Sequence, residues 1–314
     1  MEHLAALVAE GFGLGAPIDD MSPVARGEQG QVWRLDTDDG SYAVKESFEP
    51  PSEADAAADV AFQEAVLGSS KVSMPRPIRT TSGSVLATVA GRQVRAYEWI
   101  DLLPTDYGFD PAVIGETVAA IHRVKHEPAR PVHSWYTDPV GASTWQDLSR
   151  RVTASGAPFA EGFASDVLTL ISLEALLVPR HNLQNCHRDL FADNILPMAQ
   201  GGICVIDWEN CGLEDPSQEL GVVMFDFTVG NPERSRELNN AYVDAGGPGR
   251  LTGRGSFSML IAQFGHFYES AAKDWLDPKS SPNDRDHAIG RFNELFSNPL
   301  TLDRIDKFLD AVSP

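Results

Sequence analysis

The sequence predicts an α+β protein of two unequal parts: a small antiparallel sheet carrying one helix over residues 1–100, and a larger, mainly helical part over 101–314. Three observations predict it. Residues 21–100 alternate short β-rich runs with turns, and one Ala- and Glu-rich stretch from about Ser52 to Leu67 interrupts them. Beyond Ile100 the apolar residues recur at helical spacing instead. With 314 residues, 42% of them hydrophobic, the chain can bury one large core or two modest ones.

The elements follow in order. A short N-terminal helix is expected first, then strands over 31–35, 42–47, 84–89 and 92–100, with the helix at 52–67 between the second and third. Asp110 is placed to cap a helix whose first position is Pro111, where the fixed φ of proline suits the first turn; Ile114, Val118, Ile121 and Lys125 continue it at helical spacing. Two apolar runs, 195–198 and 203–206, flank Ala199-Gln200-Gly201-Gly202 and predict a hairpin. Asp215-Pro216 opens a further helix, with Glu219 in its first turn. The segments 127–139 and 277–286 read as loops.

Charge and composition narrow the partners. Lys and Arg number 25 against 45 Asp and Glu, a net charge of −20 that repels phosphate backbones and anionic lipid, so neither nucleic acid nor a membrane surface is an expected partner. No apolar run approaches the roughly 18 residues of a membrane span, and Met-Glu-His-Leu lacks the basic start of a secretory signal. Cys186, Cys204 and Cys211 form no paired spacing for zinc or disulfides. A cytoplasmic protein, monomeric or weakly dimeric, is the expectation.

The densest chemistry lies in Cys186-His187-Arg188-Asp189-Leu190-Phe191-Ala192-Asp193-Asn194, followed after the hairpin by Asp207-Trp208-Glu209. The hairpin would hold Asn194 and Asp207 at its open end. Phosphoryl transfer asks for little covalent help and much positioning: a carboxylate near the acceptor hydroxyl, and hard oxygen ligands for Mg²⁺ beside the phosphates. Asp189, Asn194 and Asp207 supply those groups.

This His-x-Asp-x-x-x-x-Asn run with an apolar strand ending in Asp resembles the catalytic core of the protein-kinase-like superfamily, and in detail the aminoglycoside phosphotransferase and choline kinase family. Phe191 stands where protein kinases place Lys, Trp208-Glu209 where they place Phe-Gly, and no Ala-Pro-Glu segment follows. Those departures imply a small-molecule acceptor. Arg188 departs from the small-molecule family, which often has Gly there. Upstream, Arg26-Gly27-Glu28-Gln29-Gly30 resembles the hairpin that covers the phosphates, Tyr42-Ala43-Val44-Lys45 the strand whose lysine meets them, and Arg95-Ala96-Tyr97-Glu98-Trp99-Ile100 the hinge between lobes.

The resemblance implies a two-lobed protein-kinase-like fold and a set of roles. Asp189 would orient the acceptor hydroxyl and take its proton, and His187 would brace the loop. Asn194 and Asp207 would hold Mg²⁺. The Gly27 and Gly30 backbone and Lys45 would secure the phosphates of ATP or GTP, with Glu64, or less well Glu53, pairing the lysine. Tyr97 would be gatekeeper, and the backbone of Glu98 and Ile100 would meet the base. Glu219 would stand where the family has Asp. The acceptor, a small hydroxylated molecule of the aminoglycoside or aminoalcohol kind, would find Glu209, Asp215, Trp208, Tyr268 and Glu269. A neutral acceptor such as a sugar, nucleoside or macrolide stays open, and so does a non-catalytic nucleotide-binding module.

Overall fold

In a computed structural model, the structure describes residues 2–27, 30–49, 51–128 and 130–313. The chain divides into two compact units, and the division differs from the expected break at residue 100. Met1–Gly108, Ala120–Pro131 and Gln184–Leu213 make the first; Phe109–Ala119, Val132–Leu183 and Glu214–Pro314 make the second. The run 186–194 therefore belongs with the N-terminal sheet's unit, and the hairpin that follows it is tied there by backbone hydrogen bonds. Val205 donates to the Ser73 carbonyl, Leu103 to that of Pro197 and Ala199 to that of Asp101.

The first unit starts with helix α1 (Glu2–Phe12). An antiparallel sheet follows, from strands β1 (Ser22–Arg26), β2 (Gly30–Thr37), β3 (Gly40–Ser47), β4 (Pro77–Ile78), β5 (Ala87–Val89) and β6 (Arg92–Glu98), in the order β1-β2-β3-β6-β4 with β5 also on β6. Ala5, Val8, Ala9 and Phe12 recur at helical spacing and bury against Leu35, Val44, Val94 and Ala96 of the sheet. Helix α2 (Glu53–Ser69) lies between β3 and β4 in the chain. The Ser52 hydroxyl caps it by accepting from the Asp55 amide. Its buried stripe, Ala56, Asp59, Val60, Phe62, Gln63 and Val66, includes two polar residues, an early sign that this face does more than pack. Strand β7 (Gln184–Cys186) leads into the run 187–194. Strands β8 (Ile195–Pro197) and β9 (Ile203–Val205) then form the expected hairpin, Ile195 opposite Val205. Strand β10 (Gly212–Glu214) pairs with β7.

The second unit is helical: α3 (Pro111–His122) as far as Ala119, α4 (Ala142–Ser155), α5 (Ala160–Glu174), α6 (Pro216–Thr228), α7 (Pro232–Asp244), α8 (Ser258–Leu276), α9 (Pro282–Ser297) and α10 (Leu302–Val312). Its helix starts are written locally. Asp110, Asp215 and Asn231 each accept a backbone N–H two residues on, ahead of Pro111, Pro216 and Pro232. Helix α3 stops at His122, so Lys125 lies beyond it. Phe159 stacks on Phe292 at 3.9 Å, and Phe163 meets Phe292 edge-on at 5.5 Å, forming an aromatic core between α5 and α9. No helix among the described residues is long and apolar enough to cross a membrane.

Glu174, at the end of α5, grips the start of α4. Its carboxylate accepts from the Val140 and Gly141 amides and from Trp145 Nε1, at 2.8, 3.1 and 2.9 Å. Glu174→Ala is expected to cost about 2–4 kcal/mol, since three donors lose a charged acceptor at once. Denaturant unfolding measures it; a loss below about 1 kcal/mol would mean that water replaces the carboxylate without difficulty.

Candidate active site

Lys45 sits mid-strand on β3, directly opposite Val32 on one side and Arg95 on the other. Its ammonium donates to Asp207 Oδ1 at 2.7 Å and to Glu209 Oε2 at 2.8 Å. Burial alone would lower its pKa, but the two carboxylates outweigh that and raise it above the ordinary lysine value. The expected Lys45–Glu64 pair is not made. Glu64 instead meets Arg79 at 2.9 Å on the exposed side of α2, and Glu53 accepts from the Val85 amide. Glu209, expected at the acceptor, takes the lysine instead, and its other oxygen accepts from Tyr97 Oη at 3.1 Å. Glu64→Ala should therefore shift stability by under about 0.5 kcal/mol, as for other exposed pairs. A large loss of nucleotide affinity in that variant would restore Glu64 to the site.

The run 187–194 is held from several sides. His187 is fully buried, its Nε2 3.0 Å from the Ile206 carbonyl and its ring edge-on to Trp208 at 4.7 Å. Arg188 takes the left-handed conformation, φ 68°, which an L residue adopts at a cost of about 1–2 kcal/mol. Its buried guanidinium donates to the carbonyls of Asn210, Cys211 and Pro131, a gain that a glycine at this position would forgo. Gly212 is needed beneath it: a Cβ there would fall 2.5 Å from Arg188 Cζ.

Asp189 accepts from Asn210 Nδ2 at 3.2 Å. Burial and then the charge of Asp193 push its carboxyl up to about 7, against the hydrogen bonds of Asn210 and Asn194. Asn194 Nδ2 donates to the Asp189 carbonyl at 2.9 Å, which turns its amide oxygen the other way. The Ile206 amide donates to the Asn194 carbonyl at 3.0 Å, so the hairpin's open end holds Asn194 beside the strand that delivers Asp207. Asp207 is left-handed, φ 61°, and 36% of its side chain stays open. Burial and the charge of Glu209 raise its pKa; Glu209, faced by Lys45, is held well below the usual carboxylate range despite its own burial. The Asn194 amide oxygen and the open Asp207 carboxylate are hard oxygen donors of the kind Mg²⁺ takes, and the lysine ammonium beside them suits phosphate oxygens.

The remaining expected residues divide. Gly30 is required by close packing, because a Cβ there would lie 2.4 Å from the Glu46 carbonyl oxygen; a Cβ on Gly27 would meet nothing. The Gly27 amide donates to the Gly30 carbonyl, and the tip between them, Glu28-Gln29, lies outside the described residues. Glu98 ends β6 with its amide donating to the Arg76 carbonyl, so a contact with a base there falls to its own carbonyl; Ile100 follows two residues on.

Four acceptor candidates are occupied elsewhere. Trp208 is core: 3% exposed, its Nε1 donates to the Val205 carbonyl, with Phe62 against its ring. Asp215 caps α6 and accepts from the His181 and Asn182 amides. Tyr268 is buried and donates to Asp166, and Glu269 pairs with His266 and Lys273. Sequence reasoning missed Asn210, although it stands three residues after Asp207, and missed Asp59, Arg95 and Arg130, for which no local pattern spoke.

A lysine on a sheet, a loop carboxylate and an Asn–Asp pair at a hairpin's open end define a phosphotransferase with the protein-kinase-like fold. The family model described as the phosphotransferase enzyme family matches residues 20–256, and the chain belongs to that family. Its enzyme class is phosphotransferase. Among solved structures it resembles a spectinomycin phosphotransferase solved with ADP and spectinomycin, at 16% identity and TM-score 0.71 over 98% of this chain and 97% of that one. It also resembles a microcompartment-associated aminopropanol kinase, at 16% identity and TM-score 0.55 over 98% and 97%. A macrolide 2′-phosphotransferase from Brachybacterium faecium matches at 16% identity and TM-score 0.53 over 90% and 94%. No curated relative matches the chain.

Proposed function

We propose that the protein transfers the γ-phosphoryl group of ATP or GTP to a hydroxyl of a small molecule, with Mg²⁺ held by Asn194 and Asp207. The observation that carries the reading is the join at the hairpin's open end: Asn194 fixed to the Asp189 carbonyl, and Asp207 on Lys45. Lys45 meets the phosphates, with Tyr97 and Glu209 holding the ammonium in place. Asp189 orients the acceptor hydroxyl and takes its proton as the oxygen attacks phosphorus. His187 fixes the loop through the Ile206 carbonyl. Bound Mg²⁺ would offset the charge on the phosphate oxygens.

The acceptor is a hydroxylated amine, an antibiotic or aminoalcohol, a reading supported by the −20 charge of the chain, which attracts cations. A neutral acceptor is the second reading, favoured by the engagement of Glu209, Asp215 and Glu269 in internal pairs. The protein would work in the cytoplasm as a monomer or weak dimer. Nucleotide consumption with Mg²⁺ and ATP or GTP, across aminoglycosides, choline, ethanolamine, macrolides, sugars and nucleosides, tests both. Turnover only with amines supports the first; turnover only with neutral acceptors supports the second. Nucleotide binding without turnover on any acceptor would favour a non-catalytic module.

A further inference from the structure

Asp59 is an acid on the buried stripe of α2, with 2% of its side chain exposed. Arg95 Nη1 and Nη2 donate to its Oδ2 at 3.2 and 3.1 Å, and Arg130 Nη2 donates to its Oδ1. Arg130 also donates through Nη1 to the backbone carbonyl of Glu209 at 2.9 Å and through Nη2 to that of Asp55 at 3.0 Å. One carboxylate thus joins α2, strand β6 and the segment after α3 to the backbone of the residue that holds Lys45.

Around it stand the cations Lys45, Arg95 and Arg130 and the acids Asp59, Asp207 and Glu209, with the half-exposed Asp55 carboxylate 3.7 Å from Arg130. Their arrangement could fail in one obvious way. Arg95 is the direct cross-strand neighbour of Lys45, so both side chains rise from the same face of the sheet. Arg95 is 4% exposed, and among the described residues its buried Nε–H has no acceptor. A buried guanidinium that lost its carboxylate would need another, because an uncompensated charge in the interior costs several kcal/mol. Glu209, bonded to Arg95's cross-strand neighbour Lys45 and near enough for its charge to act on Arg95, is the neighbouring carboxylate, and Arg95's planar fork outcompetes an ammonium for bidentate pairing.

We propose that Asp59 is a positioning residue for phosphoryl transfer: by occupying Arg95 and anchoring Arg130 on the Glu209 backbone, it reserves the Glu209 carboxylate for Lys45. The functional consequence rests on the kinase reading; the positional one does not. In this protein α2 then acts on the lysine through Asp59, two arginines and Glu209, where Glu64 would have acted by direct contact.

Three variants test it: Asp59→Asn, Arg95→Met and the double variant, each examined by crystal structure, ADP binding by calorimetry, and kcat and KM for the nucleotide. In Asp59→Asn, Glu209 is expected on Arg95 and off Lys45, with ADP affinity down about tenfold and nucleotide KM raised more than kcat is lowered, the mark of lost ground-state binding. Removing the competitor restores the pair, so the double variant is expected within about twofold of the wild type in ADP affinity, a rescue that a merely structural role would not produce. Glu209 still on Lys45 in Asp59→Asn, or no rescue in the double variant, overturns the proposal. Should Asp59→Asn not fold, the double variant carries the test, since it removes charge and partner together: an intact Lys45–Glu209 pair supports the proposal and a displaced one refutes it. A Glu209 that moves as expected in a protein that never binds ADP would refute the kinase reading and leave the role of Asp59 standing.

Discussion

Asp189→Ala is expected to lower kcat by about 10²–10⁴, the range for a positioned acid or base, while the nucleotide KM changes little, since Asp189 is assigned to the acceptor rather than to the phosphates. Activity kept within tenfold would remove it from the reaction. The wild-type pH profile should carry the same residue's signature. Burial first, then the charge of Asp193, push its carboxyl up to about 7. It accepts a proton only when ionised, so kcat/KM should fall about tenfold per unit below about pH 7 and level off above it. Initial rates from pH 5.5 to 9 would show this limb in the wild type and its loss in Asp189→Ala. A wild-type profile flat through pH 7 would assign the proton to another group.

Asp207→Ala should be as severe, with a loss of about 10³ in kcat/KM: on the proposed reading Asp207 holds Mg²⁺, and several kcal/mol of charge stabilisation goes with it. Stability should move the other way. Asp207 and Glu209 crowd two carboxylates on one ammonium, and burial with Glu209's charge raises the Asp207 pKa. Replacing Asp207 removes that repulsion and leaves Lys45 paired with Glu209, so the melting temperature should hold or rise while activity disappears. A variant that lost both together would show Asp207 to be part of the scaffold. Titration with Mg²⁺ completes the test, since the wild-type rate should saturate with metal and the variant's should not.

What could be read from the sequence was local. Lys45 ends an apolar run that only a strand explains, the hairpin around Gly201-Gly202 brings Asn194 towards Asp207, and the Asp-Pro pairs at 110–111 and 215–216 start helices where they stand. The lysine's partner was not legible. Glu64 was the natural choice by spacing, but it lies five residues beyond Asp59, about 140° around a helix with 100° per residue, on the face turned to Arg79. The actual partner stands 164 positions away in the chain, where no periodicity reaches. Trp208 and Tyr268 misled for a related reason. An aromatic with a polar tip reads equally well as a ligand cage or as core, and only the Val205 carbonyl and Asp166 decide between them. The αL turn at Arg188 explains why glycine is the easier residue there, and the three carbonyls on its guanidinium explain what arginine gains.

The first compact unit is assembled from three stretches of chain, the last ending at Leu213. During synthesis its sheet leaves the ribosome early, but the hairpin that completes the unit emerges about a hundred residues later. At usual elongation rates the delay is roughly 5–20 seconds. For that interval the nascent sheet lacks the partner of Lys45, and the backbone at Ser73 and 101–103 lacks the hairpin it later bonds. Such an intermediate is a natural client for chaperones. Expressing residues 1–108 alone would produce this unfinished state permanently, so the N-terminal part should be recovered aggregated, while the full chain folds.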